Sequence, residues 1–278
     1  MRFVASGLAT PAAPLEEDVR AAARVGADGL ELARGKLAAA LERAGPAGLA
    51  ALLRRQGVRA VSIAAVEDVT FRDREGAEMV TEAVHRTAET ARALGAAWIV
   101  VTPGDRPDGA DERDATREAC ATLERLARLG ERYDVGLALQ PRGHPLASVR
   151  TLAQALAVVE RVGRRALGLA PDTFECWAAG VAPEELTRCH PRWLAMLRVA
   201  DAVPDVAPEG ARAHHRRPPA TGVVPLVAWV SVALALVPDL PVTCPVPAPE
   251  APPPEPEAWT RRLRERVVEL GREAAARR

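Results

Sequence analysis

Short apolar runs alternate with longer helical patterns along the whole sequence, and this alternation constrains the fold more than any other feature. Eight short runs have the length of strands, and one of them, Ala60–Val66, has the continuous apolar character of a strand that is buried on both faces of a sheet. The eight predicted strands are Phe3–Ser6, Gly29–Leu32, Ala60–Val66, Trp98–Thr102, Gly136–Leu139, Ala166–Leu169, Leu194–Val199 and Pro241–Pro245. Strands that alternate with helices indicate βαβ units and a parallel sheet.

Helical patterns fill the spaces between these runs. They cover Leu15–Val25, Leu37–Gln56 (broken near Gly45–Pro46), Glu75–Leu94, Asp114–Arg132, Val149–Val162, Glu184–Cys189, Leu226–Val237 and Glu257–Ala275. Eight β/α units in 278 residues match a (β/α)₈ barrel, the TIM barrel. A doubly wound open sheet is the alternative, but its first turn usually carries G-x-G-x-x-G, and the first turn here, Gly7–Pro11, does not.

We therefore predict an α/β fold, a (β/α)₈ TIM barrel that forms a single domain over residues 1–278. Within it, residues 245–256 form a rigid Pro-rich loop and residues 257–278 form a C-terminal helix. The sequence has no other proline-rich stretch that would separate two domains.

The charge balance excludes several partners. Lys plus Arg and Asp plus Glu are both 37, whereas binders of nucleic acid or anionic membranes usually show a basic excess. The most apolar stretch, Leu226–Val237, is too short to span a bilayer, and the N-terminus has no long apolar region of the signal-peptide type. The four cysteines include no C-x-x-C pair, which is typical of reduced thiols. We expect a cytoplasmic protein with no nucleic-acid and no membrane partner.

The composition also excludes some chemistry. Lys36 is the only lysine, so a Schiff-base enzyme would have to use it, and no Gly-Lys-Ser/Thr run for a phosphate-binding loop exists. No G-x-S-x-G occurs, which argues against a serine hydrolase of the nucleophile-elbow type.

Candidate functional residues follow from the barrel prediction, because active residues of TIM barrels lie at the C-terminal ends of the strands and in the loops after them. The polar residues at these places are Glu31, Glu67, Asp68, Thr102, Asp105, Gln140, His144, Asp172, Glu175, Arg198 and Asp201, with Cys244 after the last strand.

Several segments together carry a family resemblance. They are Ala93–Ala96, Leu137–Pro141 with Gly143–Pro145, Leu167–Phe174, Arg198–Ala202 and Arg217–Leu226. In their order and spacing the chain resembles the xylose-isomerase-like TIM barrels of the sugar-phosphate isomerase/epimerase superfamily, and it is most similar to the inosose (2-keto-myo-inositol) isomerases. The resemblance covers essentially the whole chain and implies a small sugar-like ligand at the barrel mouth.

The resemblance also implies a divalent metal held by a Glu, an Asp, a His and a Glu after strands 5 to 8. At these four positions the chain has Gln140, Asp172, Arg198 and Cys244, and Glu175 stands where the family has a nearby His. A guanidinium cannot ligate a metal, so we predict that the family's Mn, Mg or Zn site is lost and that the protein has no metal cofactor. A different zinc set that uses Cys244, Asp172 and His144 remains open.

One hypothesis is an enzyme that acts on a small polyol, keto-sugar or sugar acid. Arg198 would be the electrophile and Asp172 or Glu175 the base, with help from Gln140, because one arginine beside a carbonyl oxygen can stabilise an enolate. Isomerisation, epimerisation and dehydration all pass through such an intermediate. The resemblance places His144, Arg217 and Cys244 around the ligand, and the position of Glu67 after strand 3 adds it to the predicted ligand-binding residues.

The alternative is a catalytically inactive binding or accessory protein on the same barrel. Asp172 could cap the loop after strand 6, Arg198 could be an ion-pair partner of Asp172 or Asp201, and Cys244 could be a small buried apolar residue. A DNA-repair endonuclease of the same superfamily would need a His- and Glu-rich metal cluster and a basic face, and the sequence shows neither. A homodimer is left open.

Overall fold

The chain forms a closed barrel of eight parallel strands, which confirms the predicted TIM barrel in a single domain. The computed structural model describes residues 1–248 and 254–277. The strands are β1 Arg2–Ser6, β2 Gly29–Ala33, β3 Ala60–Val66, β4 Trp98–Val101, β5 Gly136–Leu139, β6 Leu167–Leu169, β7 Leu197–Arg198 and β8 Pro241–Thr243.

The order of the strands closes the sheet on itself. From one end, the hydrogen-bonded order is β6-β5-β4-β3-β2-β1-β8-β7. Two parallel bridges, Leu169 with Leu194 and Asp172 with Arg198, then join β6 to β7. Because all strands are parallel, the residues after them meet at one end of the barrel, and the predicted site residues are gathered there.

Helices follow the strands and cover the outside of the barrel. They are α1 Leu15–Arg24, α2 Arg34–Gln56, α3 Arg74–Leu94, α4 Glu112–Glu131, α5 Leu152–Val162, α6 Thr173–Ala178, α7 Leu226–Leu236 and α8 Pro256–Ala276. As predicted, α2 is interrupted at Gly45, whose φ of +64° leaves the helical region just before Pro46.

Three elements near β6 differ from the sequence prediction. The short helix predicted over Glu184–Cys189 is a 3₁₀ turn over Pro183–Arg188. The helix that directly follows β6 is α6, which has six residues and is too short to show a helical period in the sequence. The α5 helix begins three residues later than predicted because Thr151 and Gln154 form a capping box at its start.

Mostly small side chains fill the barrel interior, and the large indole ring of Trp98 lies at its N-terminal end. Ala64 of β3, Ala138 of β5 and Ala170, which follows β6, pack with Val100 of β4 and with Met196 inside the barrel. Trp98, the first residue of β4, lines the N-terminal opening. Its indole lies where side chains would otherwise project from Gly136 and Gly168 on β5 and β6, since an added Cβ would come within 2.4 and 3.1 Å of the ring.

The segment between β7 and α7 is fastened by one buried carboxylate. Asp201 accepts hydrogen bonds from the backbone N–H groups of Ala202, Thr221, Gly222 and Val224 at 2.8–3.1 Å. Residues Asp201–Ala202 and Arg216–Arg217 form a short antiparallel pair in this segment. These four hydrogen bonds, which we call the Asp201 clamp, therefore hold the long loop between β7 and α7 against the end of β7.

The structure describes part of the region after β8. Ala248 donates a backbone hydrogen bond of 2.8 Å to Ala9, so this part of the Pro-rich loop lies beside the end of β1. Residues 249–253 of the predicted loop and residue 278 of the predicted helix lie outside the described residues. Among the described helices, none is long and apolar enough to cross a membrane.

Candidate active site

Glu31 lies at the centre of a buried ionic cluster at the C-terminal end of the barrel. It is the third residue of β2, and its register partners on β1 and β3 are Ser6 and Ser62. Both hydroxyls donate to its carboxylate, Ser6 to Oε1 at 2.8 Å and Ser62 to Oε2 at 3.4 Å. Glu31 is completely buried, so its charge requires a cationic partner.

Arg198 supplies that positive charge. Its Nη1 donates to Glu31 Oε2, and its Nε lies 3.8 Å from Asp172 Oδ2. The side chains of Arg198 and Asp172 are 5% and 1% exposed. The guanidinium thus lies between the carboxylates of β2 and the end of β6, at the strand 7 position where the family resemblance implies a metal-binding His.

A second arginine, Arg216, covers Asp172 from the solvent side. Its Nη1 lies 2.9 Å from both oxygens of Asp172, and its Nη2 donates to Glu175 Oε1 at 2.7 Å. Its guanidinium also stacks on the Phe174 ring, 4.5 Å from the ring centroid. The Arg216 side chain is 10% exposed, so it closes the mouth above the buried carboxylates.

Backbone groups complete the environment of the two carboxylates. Asp172 caps α6, because its Oδ1 accepts from the N–H groups of Phe174 and Glu175 at 3.0 and 3.2 Å. Glu175 Oε2 accepts from the Gly143 N–H at 2.7 Å, which fixes the loop after β5. Capping and site formation are therefore two roles of the same Asp172 side chain.

The structure places Arg216 in the cluster and not its neighbour Arg217, for which the resemblance implied contact with the ligand. Arg217 is exposed and donates only to backbone carbonyls, those of His214 and Arg216. Successive residues of an extended strand point to opposite sides, so only one of the two arginines can face the barrel. Arg216 and Arg217 are adjacent in the sequence, and the residue types alone do not indicate which of the two enters the site.

Cys244 and Gln140 lie buried at the ends of β8 and β5. Burial raises the pKa of the Cys244 thiol to about 12, and the charges of Asp172, Arg216 and Arg198 also influence it. The thiol is therefore neutral at pH 7. The Gln140 side chain forms no hydrogen bond with residues 1–248 or 254–277, while its backbone N–H pairs with Val101.

The remaining predicted residues lie outside the ionic cluster. Glu67 is exposed. His144 is half-buried in the loop after β5, with its Nδ1 3.9 Å from Asp105. No group of three or more His, Cys, Asp or Glu side chains that could hold a metal occurs in the described parts of the chain.

The only lysine belongs to a second buried cluster beside the ends of β1 and β2. Lys36 donates to Asp18 Oδ2 at 2.6 Å and to the Thr10 carbonyl at 2.7 Å, and the Thr10 hydroxyl donates to Asp18 Oδ1. Burial raises the pKa of Asp18 from its ordinary value of 3.8 to about 6, although both hydrogen bonds act in the opposite direction. This cluster joins the loop after β1 to the first turn of α2.

We expect Asp18 to lower the stability of the protein as the pH rises from about 4 to about 6. The folded protein holds this proton more tightly than the unfolded chain, so deprotonation favours unfolding in that range. The variant Asp18→Asn has no titrating group at this position and serves as the reference. The difference in unfolding free energy between the wild type and this variant is expected to fall by about 2–3 kcal/mol between pH 4 and 7. Urea denaturation at each pH measures this, and a constant difference would contradict the shift.

The sequence matches the profile of a known protein family over most of its length. The profile described as "Xylose isomerase-like TIM barrel" matches residues 19–270 of the chain. The chain belongs to the xylose isomerase-like TIM barrel family. The match spans the strand ends that carry Glu31, Asp172, Arg198 and Arg216, so the ionic cluster lies at the place where barrels of this family have their mouth.

Among characterised relatives, inosose isomerases are similar to this xylose isomerase-like barrel. The inosose isomerase of Bacillus velezensis is 27% identical over 188 residues, which is 67% of both chains. The inosose isomerase of Halalkalibacterium halodurans is 31% identical over 136 residues, 48% of both chains. The second alignment spans about half the length of that relative.

Solved structures agree with the fold of the family. The crystal structure of the IOLI protein with a bound zinc atom superposes with a TM-score of 0.93 at 22% identity and covers 99% of both chains. D-allulose 3-epimerase from Methylomonas sp. in complex with D-allulose superposes with a TM-score of 0.73 at 16% identity and covers 97% of both chains. At these identities the likeness is one of fold.

Proposed function

We propose that this barrel binds a small polyol or keto-sugar at its mouth and that it does so without a divalent metal. The observation that carries the proposal is the buried guanidinium of Arg198 between Glu31 and Asp172. Of these two carboxylates only Asp172 stands at a position where the resemblance implies a metal ligand, and Arg198 supplies it with positive charge in place of an ion. Inosose isomerases and a D-allulose epimerase among the relatives support a sugar-like ligand.

The residues present do not fit a metal ion. Both oxygens of Asp172 already accept hydrogen bonds, and Arg198 beside it is a cation that cannot ligate a metal. Gln140 offers one neutral carbonyl oxygen, which is a weak ligand on its own. The alternative zinc set is equally unsupported, because His144 lies in a loop beside Asp105 and outside the cluster of Asp172 and Cys244.

The charge of the cluster favours neutral ligands. Two guanidinium groups, those of Arg198 and Arg216, face the three carboxylates of Glu31, Asp172 and Glu175, which leaves one net negative charge. A sugar acid would add a second negative charge to a desolvated site and would be repelled. We therefore propose polyols and keto-sugars as ligands and exclude sugar acids.

In a catalytic version of this site, Arg198 would stabilise negative charge on the carbonyl oxygen of a keto-sugar. Glu175 is then the best placed base, since it is the most exposed carboxylate of the cluster, at 19%. It becomes available only when Arg216 leaves it. Proton transfer at the carbon next to the carbonyl is the common step of isomerisation, epimerisation and dehydration.

A binding protein without catalysis is the second candidate. The closed ion pairs favour it, because every carboxylate oxygen of Asp172 and Glu175 is occupied by a donor. Hydrogen exchange separates the two candidates. If the barrel enolises 2-keto-myo-inositol in D₂O, proton NMR will show loss of the signal next to the carbonyl, whereas a binding protein will leave it unchanged.

The binding test uses a panel of 2-keto-myo-inositol, myo-inositol and D-allulose, with glucuronate as the anionic control. We expect calorimetry to show binding of at least one neutral member by the purified protein, unaffected by prior EDTA treatment, and no binding of glucuronate. Metal analysis after desalting should find far less than one divalent ion per chain. One tightly bound zinc or manganese per chain, with binding lost on its removal, would refute the proposal.

Restoring the ligand set tests the correspondence of positions. The triple variant Gln140→Glu, Arg198→His and Cys244→Glu recreates the four ligand types that the resemblance implies, while Arg198→His alone leaves two positions wrong. We expect the triple variant to gain Mn²⁺ or Zn²⁺ affinity by calorimetry and the single variant to gain none. A folded triple variant without added affinity would show that the positions were matched incorrectly.

A further inference from the structure

Two buried polar atoms beside the ionic cluster have no hydrogen-bond partner in the part of the chain that the structure describes. They are Arg198 Nε and Thr243 Oγ1. Arg198 is 4% exposed and Thr243 is 1% exposed, so bulk water does not solvate them. In folded proteins more than nine in ten buried polar groups have a hydrogen-bond partner. Two neighbouring atoms without one therefore indicate a position where a further atom can form hydrogen bonds with both.

The two orphaned atoms belong to neighbouring positions. Thr243 and Arg198 are register partners on β8 and β7, so their backbones lie about 5 Å apart and their side chains leave the sheet on the same side. The Nε of Arg198 is 3.8 Å from Asp172, which is too long for a hydrogen bond. The other end of the guanidinium is held by Glu31, so the Nε–H keeps its place.

We propose that Arg198 Nε–H and the Thr243 hydroxyl form a two-donor subsite for a single ligand oxygen. Both groups can donate, so the atom they hold is an acceptor, and the carbonyl or hydroxyl oxygen of a neutral polyol or keto-sugar has the required lone pairs. This inference rests on the proposed function and deepens it. It makes Thr243 a specificity residue, although neither the pattern of strand-end residues nor the resemblance singles it out.

The side chain of Arg216 lies between solvent and this subsite. Its side chain covers Asp172 and Glu175 and stacks on Phe174, so a ligand has to displace it before an oxygen reaches Arg198. A ligand oxygen would therefore enter this subsite together with a movement of Arg216.

The first arm of the test measures stability. Thr243→Val keeps the shape of the side chain and removes a hydroxyl that has no partner, so we expect the Tm to stay unchanged or to rise by about 1–3 °C. Thr87→Val is the matched control: Thr87 is also buried, but its hydroxyl donates to the Ala83 carbonyl at 2.6 Å. Its Tm should fall by about 2–4 °C. An equal fall for Thr243→Val would show that a bound water already satisfies the hydroxyl and would overturn the subsite.

The second arm measures ligand affinity by calorimetry, with whichever neutral member of the panel binds the wild type most tightly. Thr243→Val should weaken the Kd about tenfold, and Thr243→Ser, which keeps the hydroxyl, should stay within about threefold. Equal affinity of the wild type and Thr243→Val would overturn the subsite and leave the proposed function standing. Absence of binding by the wild type would overturn the proposed function and this subsite with it.

Discussion

Replacement of Arg198 by methionine is expected to lower the free energy of unfolding by about 3–5 kcal/mol. Among the residues that the structure describes, the change removes the only cation that contacts the fully buried Glu31 and one of the two that neutralise Asp172. Two serine hydroxyls remain on Glu31, but they cannot compensate its charge. Urea denaturation at pH 7 measures the loss.

Two further variants show whether the loss comes from the unpaired charge. The double variant Arg198→Met with Glu31→Gln removes both charges and should recover part of the stability, so that the two substitutions are not additive. Arg24→Met is the exposed control: its ion pair with Glu257 is 3.0 Å long, but the arginine side chain is 65% exposed, and the expected loss is about 0–1 kcal/mol. Equal losses for Arg198→Met and Arg24→Met would contradict a buried pair.

Replacement of Trp98 by alanine is expected to lower the unfolding free energy by a similar amount, about 3–5 kcal/mol, for a different reason. The indole fills the N-terminal part of the barrel where Gly136 and Gly168 provide no side chain. Trp98 is half-buried, and without it unfilled space remains at this end of the barrel, because the strands around it are fixed by their hydrogen bonds to each other and cannot collapse. Chemical denaturation with an unchanged circular dichroism spectrum would show that the fold is kept.

The complementary change is at Gly136. A Cβ there would come within 2.4 Å of the Trp98 ring, so Gly136→Ala should itself cost about 1–3 kcal/mol. Combined with Trp98→Leu, the added methyl group gains room, and the double variant should be more stable than the sum of the two single losses predicts. Strict additivity would mean that the ring and the glycine do not share this space.

The barrel could be predicted because its strands are buried on both faces and therefore stand out as apolar runs. The prediction for β3, Ala60–Val66, matches the observed strand at both ends, and β5, Gly136–Leu139, does as well. The prediction was least accurate around β7, where Leu194–Val199 contains a two-residue strand and one separate bridge. Apolar residues there pack inside the barrel without pairing in a ladder, and the sequence pattern is the same in both cases.

The site could be predicted only where position along a strand decides the outcome. Asp172 and Arg198 end neighbouring strands, and their contact follows from the parallel topology. Glu31 was visible as a charge at the end of β2, but its pairing with Arg198 spans the barrel and depends on the length of the arginine side chain. Arg216 arrives on a long loop whose path is set by the Asp201 clamp, and no local pattern encodes that path.

The positive charge at the end of β7 is a covalent part of the chain. A bound ion exchanges with the medium and can be removed by a chelator, whereas an arginine is charged at every physiological pH and remains as long as the chain is folded. Glu31 and Asp172 are therefore neutralised in each folded molecule from the moment of its synthesis. Under the proposed metal-free function, metal starvation, metal replacement and incomplete loading, which create mixed populations of metalloproteins, would leave this cluster unchanged.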